Sequence, residues 1–154
     1  MGHIHEKIDF TASVYVVFDG KVLLHMHKIH KMWLPPGGHI ELDEGPLEAA
    51  VREAKEETGL DVELVGDGQK SYESPFGSRD LMLPRFLGRH FFNAERTHEH
   101  IDFGYLARAQ SADVRHEIEG EEIRWFSKEE LEGGEFEILE DVRHHALIAL
   151  AEVR

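Results

Sequence analysis

The sequence predicts a mixed α/β fold in one domain over residues 1–154, and three observations carry that expectation. Runs rich in β-branched and aromatic residues, bounded by Gly, Pro and Asp, alternate with one long two-sided helical segment. The chain has 154 residues, the size of a single domain. Its 41% apolar and 31% charged side chains are those of a packed globular protein, without repeat, linker or low-complexity tract.

Residues 11–18 and 21–26 read as a hairpin, because Asp19-Gly20 suits a tight turn with positive φ at both central residues. A polar loop over 27–31 leads to Trp33-Leu34-Pro35-Pro36-Gly37-Gly38. The prolines and glycines there break regular structure, and a short strand is expected at 39–41. Pro46 suits the first turn of a helix and Gly59 its stop, with helical periodicity over 47–58. Residues 60–65 read as a strand, and 69–84 as a long polar loop of the kind that carries function. Strands follow at 85–92 and 101–109, joined through 94–100, and a shorter one at 123–126. Ser127 with Glu130 forms a capping box for a helical turn at 128–131, and residues 139–153 form the closing helix.

Charge removes several functions. With 31 acidic and 17 basic side chains the net charge is −14, which repels nucleic-acid polymers and anionic lipid, and no basic stripe offsets it. Apolar runs such as 13–18 and 145–151 are too short to span a bilayer. The first ten residues, MGHIHEKIDF, lack the basic-then-apolar pattern of a secretory signal. The absence of cysteine removes disulfides, thiolate zinc sites and thiol nucleophiles, and fits a reducing cytoplasm as the expected location.

The segment 47–58 carries the chemistry. Projected at about 100° per residue, Glu53, Glu56 and Glu57 share one face. Leu47, Ala50, Val51, Ala54 and Thr58 share another, and Glu48 and Lys55 point a third way. A core face and a separate acid face are therefore expected, with Arg52 on the acid face's flank. Like charges roughly 4 Å apart repel by about 1 kcal/mol in water and by more in a shielded cleft. A hard divalent cation offsets that through carboxylate and carbonyl oxygens. The wheel alone leaves open a solvated acidic face.

Spacing narrows the choice. Gly38, five residues, Glu44, seven residues, then Arg52-Glu53-Ala54-Lys55-Glu56-Glu57-Thr58-Gly59-Leu60 fits the Nudix box at every fixed position. Ala54 is smaller than the usual Leu, Ile or Val. The chain thus resembles the MutT-like Nudix hydrolases. The strand pair before the box, the Pro-Pro-Gly-Gly segment and Glu-Glu-Ile-Arg-Trp-Phe-Ser at 121–127 extend the resemblance over nearly the whole chain.

The resemblance implies an α/β/α sandwich with a mixed β-sheet. It also implies Mg²⁺- or Mn²⁺-dependent hydrolysis of a nucleoside diphosphate linked to another moiety. Substrates of that kind are (d)NTPs, oxidised ones included, ADP-ribose and other nucleotide sugars, and dinucleoside polyphosphates. By position, Glu53, Glu56 and Glu57 are the implied metal carboxylates, with the Gly38 carbonyl as a further ligand. Arg52 would orient a glutamate, Glu44 would fix the loop–helix geometry, and the catalytic set is Glu53, Arg52, Glu57 and Glu44. The general base is Glu53 or a carboxylate from a later loop. The expected partner is a small nucleotide derivative, with no nucleic-acid polymer and no membrane, and the expected state is monomer or homodimer. The alternative is a non-catalytic nucleotide-binding regulatory module on the same fold.

Weaker signals surround the box. Among 12 histidines, His25 and His27, and again His98 and His100, lie two apart and face one side of a strand. Neither pair shows a third ligand in the sequence, so polar-surface or substrate-contact roles are expected of them; His3 and His5 read as a mobile N-terminus. Of the later acids Glu95, Glu99, Asp102, Glu121 and Glu122, Glu99 and Glu121 are the favoured loop carboxylates. Arg79 and Arg85 are expected to meet substrate phosphates. Trp33 and Phe76 are candidates to stack on a base, whereas Phe103 and Trp125 suit the core. Specificity is expected in 69–84 and 94–100.

Overall fold

The spine of the molecule is a pair of long strands far apart in sequence, β1 (Ile8–Phe18) and β7 (Glu99–Ala109), which run parallel. A computed structural model describes residues 4–66, 72–116 and 120–154. Among these residues the sheet runs β3-β2-β1-β7-β5, with β2 spanning Lys21–Met26, β3 Trp33–Leu34 and β5 Val62–Val65. Off this path, β4 (Gly37–His39) pairs with β1, β6 (Phe86–Phe91) with β7, and β8 (Ile123–Phe126) with β2. Every pairing except β1–β7 is antiparallel, so the sheet is mixed.

Alternation along β1 builds two cores. Ala12, Val14 and Val16 pack with Ala49, Ala50 and Ala54 of α1 (Pro46–Thr58). Tyr15 and Val17 pack on the other face with Val142, Ala146 and Ala149 of α3 (Glu140–Glu152) and Leu131 of α2 (Lys128–Glu132). This is the expected sheet between helices. No helix among the described residues is long and apolar enough to cross a membrane.

Local signals placed most elements. Asp19 and Gly20 take φ of 48° and 71° in the hairpin turn. Pro46 opens α1, and Gly59 closes it at φ 75°, a left-handed conformation that glycine adopts without steric cost. Ser127 and Glu130 form the reciprocal capping box.

Two readings change. The strand expected at 39–41 lies instead at Gly37–His39, because pairing with β1 over Ser13, Ala12 and Thr11 overrides the local tendency of glycine to break a strand. β1 and β7 also start earlier than their hydrophobic runs, since their polar first residues, including Asp9 and His100, are paired across the parallel ladder. The first part of the expected 69–84 loop and His3 lie outside the described residues. Residues 72–84 are mostly exposed, with Phe76 almost fully so.

Candidate active site

The core face read from the wheel holds at Ala50, Ala54 and Thr58, with Leu47 partly buried beside them, but its separation from the acid face does not. The buried residues of α1 are Ala49, Ala50, Ala54 and Thr58, while Val51 is exposed. That arc is centred so that Glu53 and Glu57 lie inside it, with side chains 13% and 22% exposed, and Glu56 at its edge, 47% exposed. The cause is side-chain size. Three alanines let the helix lie close to the sheet, and the neighbouring glutamates enter the gap beside β4.

There the double glycine gives them room. A Cβ on Gly38 would collide with the Glu53 carboxylate, and the Gly37 N–H donates to Glu57 Oε2 at 3.0 Å. Opposite Glu57, His25 of β2 places Nε2 3.4 Å from the same oxygen. Burial pushes the His25 pKa down, with Glu121 acting in the opposite direction.

Arg52 ties the other carboxylates together. Its Nε donates to Glu44 Oε2 at 2.9 Å, and its Nη1 to Glu53 Oε1 at 2.8 Å and Glu56 Oε2 at 3.1 Å. Its Nη2 donates to the His39 carbonyl at 3.0 Å and to Glu44. Glu44 also accepts from the Glu41 N–H at 3.0 Å, which closes the loop leading into α1. Hydrogen bonding from Arg52 holds the Glu44 carboxyl below its ordinary value, and raises the pKa of Arg52 itself. For Glu53, burial pushes the carboxyl up and Arg52 pulls against it.

Several expected contacts fall elsewhere. Trp33 is not a stacking surface: it is buried, edge-on to Phe126 and Phe136. Phe103 and Trp125 are partly buried in the α1-side core, as expected. Arg85 is engaged by Glu152 at 2.9 and 2.8 Å, beyond the α3 face of the sheet. Glu99 is bidentate to Arg89 at 2.6 and 2.7 Å, which lowers its pKa and makes it a poorer base. Glu121, by contrast, lies in the field of His25 and His27, beside the Glu57 side of the site. Arg79 is exposed, its backbone bridged to Glu73.

A NUDIX domain model matches residues 8–147. The chain belongs to the Nudix family. A solved NUDIX-family hydrolase from Clostridium perfringens is 36% identical with a TM-score of 0.80, over 95% of this chain and 98% of that one. A probable DHNTP pyrophosphohydrolase of Lactococcus lactis subsp. cremoris is 31% identical over 73% of this chain and 61% of its own length. A CTP pyrophosphohydrolase of Escherichia coli is 31% identical over 62% of this chain and 72% of its own. The chain thus spans only 61% of the Lactococcus relative.

Beside its Nudix box this chain carries polar residues that the sequence reading did not assemble. Asp9, Thr11 and Ser13 line one face of β1, where the parallel register sets Asp9 opposite His100 and Thr11 opposite Asp102. The Thr11 and Ser13 hydroxyls donate to Asp102 at 2.7 and 2.6 Å, and burial pushes that carboxyl up. The signal was present as polar residues at every second position of a strand whose other face is apolar. The sequence marked His25 only as one of a histidine pair, because its nearness to Glu57 depends on how α1 sits against the sheet.

Proposed function

We propose that this Nudix chain is a divalent-metal-dependent pyrophosphohydrolase acting on a nucleoside diphosphate linked to another moiety, with residues 1–154 as one catalytic domain. The observation that carries the reading is the folded box. Glu53 and Glu57 are drawn into a cleft against Gly37 and Gly38, while Arg52 and Glu44 brace the loop before the helix. The donor set fits a hard cation. Glu53, Glu56 and Glu57 offer carboxylate oxygens, and the Gly38 carbonyl adds another. Such an ion, Mg²⁺ or Mn²⁺, supplies neutralisation of the pyrophosphate charge and a more acidic water.

The protein's share is positioning and proton transfer. Glu53, its carboxyl pushed up by burial, takes the proton from the water that attacks one phosphorus in line, and the remaining phosphate departs with the bond electrons. Arg52 holds Glu53 in place through Nη1. The Gly37 N–H and His25 fix Glu57 from two sides. Nucleoside triphosphates head the candidate substrates, since one relative's name specifies CTP. ADP-ribose and nucleotide sugars follow.

The test is release of phosphate and pyrophosphate over a nucleotide panel with Mg²⁺, Mn²⁺ and EDTA, beside Glu57→Gln. Metal-dependent turnover abolished in a folded variant is the expected result. Nucleotide binding without turnover under every metal would instead favour the non-catalytic module.

A further inference from the structure

We propose that Asp9, His98, His100 and His39 form a second cation site, selective for a divalent transition metal of the zinc class. The four side chains come from segments that only the fold unites: the start of β1, the end of β4 and the start of β7. Asp9 pairs with His100 in the parallel ladder, and His39 with Thr11 in the antiparallel one, so all share a sheet face. Asp9, His98 and His100 are buried and place one ligand atom each within 4.8 Å of one another. Asp9 Oδ2 lies 3.2 Å from His98 Nε2 and 3.3 Å from His39 Nε2. A tetrahedral ion with bonds of about 2.0 Å separates its ligands by roughly 3.3 Å, so these are the distances of ligands along one edge.

The hydrogen bonds decide where the lone pairs point. His98 Nδ1 lies 2.9 Å from the Glu6 carbonyl, which can only accept, so Nδ1 carries the proton. Nε2 is then the ring nitrogen that faces the carboxylate, 3.2 Å from Asp9 Oδ2. Asp9 Oδ1 accepts from the His5 N–H at 2.8 Å, and Oδ2 faces His98 and His39.

An imidazole N–H held by a backbone carbonyl is also how metal-binding histidines are oriented. Phe92 packs against the rings of His100 at 4.9 Å and His98 at 6.1 Å, giving the cluster an apolar wall. Imidazole donors favour zinc-class ions, while the box carboxylates favour Mg²⁺, so ligand chemistry sorts the two sites. The His39 carbonyl accepts from Arg52, so an ion here would also steady the start of the box.

The test uses the full chain without an affinity tag, stripped with EDTA and then freed of it. Zn²⁺ is titrated against a chromophoric chelator and Co²⁺ by visible absorption, in wild type, Glu53→Gln/Glu57→Gln and His98→Gln/His100→Gln. About one equivalent of Zn²⁺ should bind to wild type and to the glutamine variant, with Co²⁺ absorption of tetrahedral intensity. Affinity should fall by at least about 100-fold in the histidine variant. Saturating Zn²⁺ should raise the thermal midpoint of wild type and not that of the histidine variant. Should the histidine variant fail to fold, Asp9→Asn takes its place with the same expected loss. Unchanged affinity in the ligand variant, disappearance of the site in the glutamine variant, or no zinc binding by wild type would each overturn the proposal.

Discussion

Arg52→Lys keeps the positive charge of the box and removes its fork, so it separates charge from geometry. The guanidinium donates to three carboxylates and one carbonyl: Glu44, Glu53, Glu56 and His39. A single ammonium on a flexible stem cannot reach them all. At least two charge-assisted bonds are lost, each contributing about 1.5–3 kcal/mol. The sum must be discounted, because Arg52 is 23% exposed and Glu56 47% exposed. About 2–3 kcal/mol is then the expected loss. At about 2–4 °C per kcal/mol for a chain of this size, the thermal midpoint should fall by about 4–12 °C. Circular dichroism melts and urea titrations are the assays, with a lower urea midpoint and an unchanged slope as the mark of lost stability. A midpoint within about 1 °C of wild type would show that charge alone holds the box.

Three further outcomes follow from the same geometry. Gly37→Ala drives a Cβ into the backbone of Ala12 and Ser13 and should cost about 1–3 kcal/mol of stability by denaturant titration; Gly38→Ala meets only the end of the Glu53 side chain, so turnover should fall while the midpoint holds. Glu44 has its pKa lowered in the folded state, so the unfolded chain takes up protons first as pH falls. Its stabilisation is present above the ordinary carboxylate value and is lost as pH drops through the lowered one. Glu44→Gln should therefore flatten the stability profile below about pH 5 and leave it unchanged above, read by urea midpoints at each pH. Ser127→Ala removes the hydroxyl that accepts from the Glu130 N–H and should cost about 1 kcal/mol, measured by chemical denaturation.

What the sequence made legible was local. The hairpin turn, the ends of α1 and the capping box at Ser127 each depend on residues within a few positions of one another, and each was placed. The box was legible for a related reason: its fixed positions fall within one continuous stretch from β4 through α1. What escaped was long-range. Trp33 looks available until the sheet sets Phe126 beside it, and Arg85 until α3 brings Glu152, 67 residues on, within reach. The Asp9 cluster joins residues about 90 positions apart through a parallel ladder, and no periodicity within one segment encodes which strands will pair.

The alanines of α1 link these two scales. The wheel puts Leu47, Ala50, Val51, Ala54 and Thr58 at the core and the glutamates outside. Burial keeps Ala50 and Ala54 but takes in Ala49 and leaves out Val51, with all three alanines fully enclosed. Small residues pack where the helix axis comes nearest the sheet, and large ones would hold it away. The nearer approach sets Glu53 against Gly38, a position with no side chain of its own. In this chain the alanine at position 54 is therefore part of what shapes the acid cleft. It brings the helix close enough for two carboxylates to leave bulk water, and the glycines of β4 leave the space they enter.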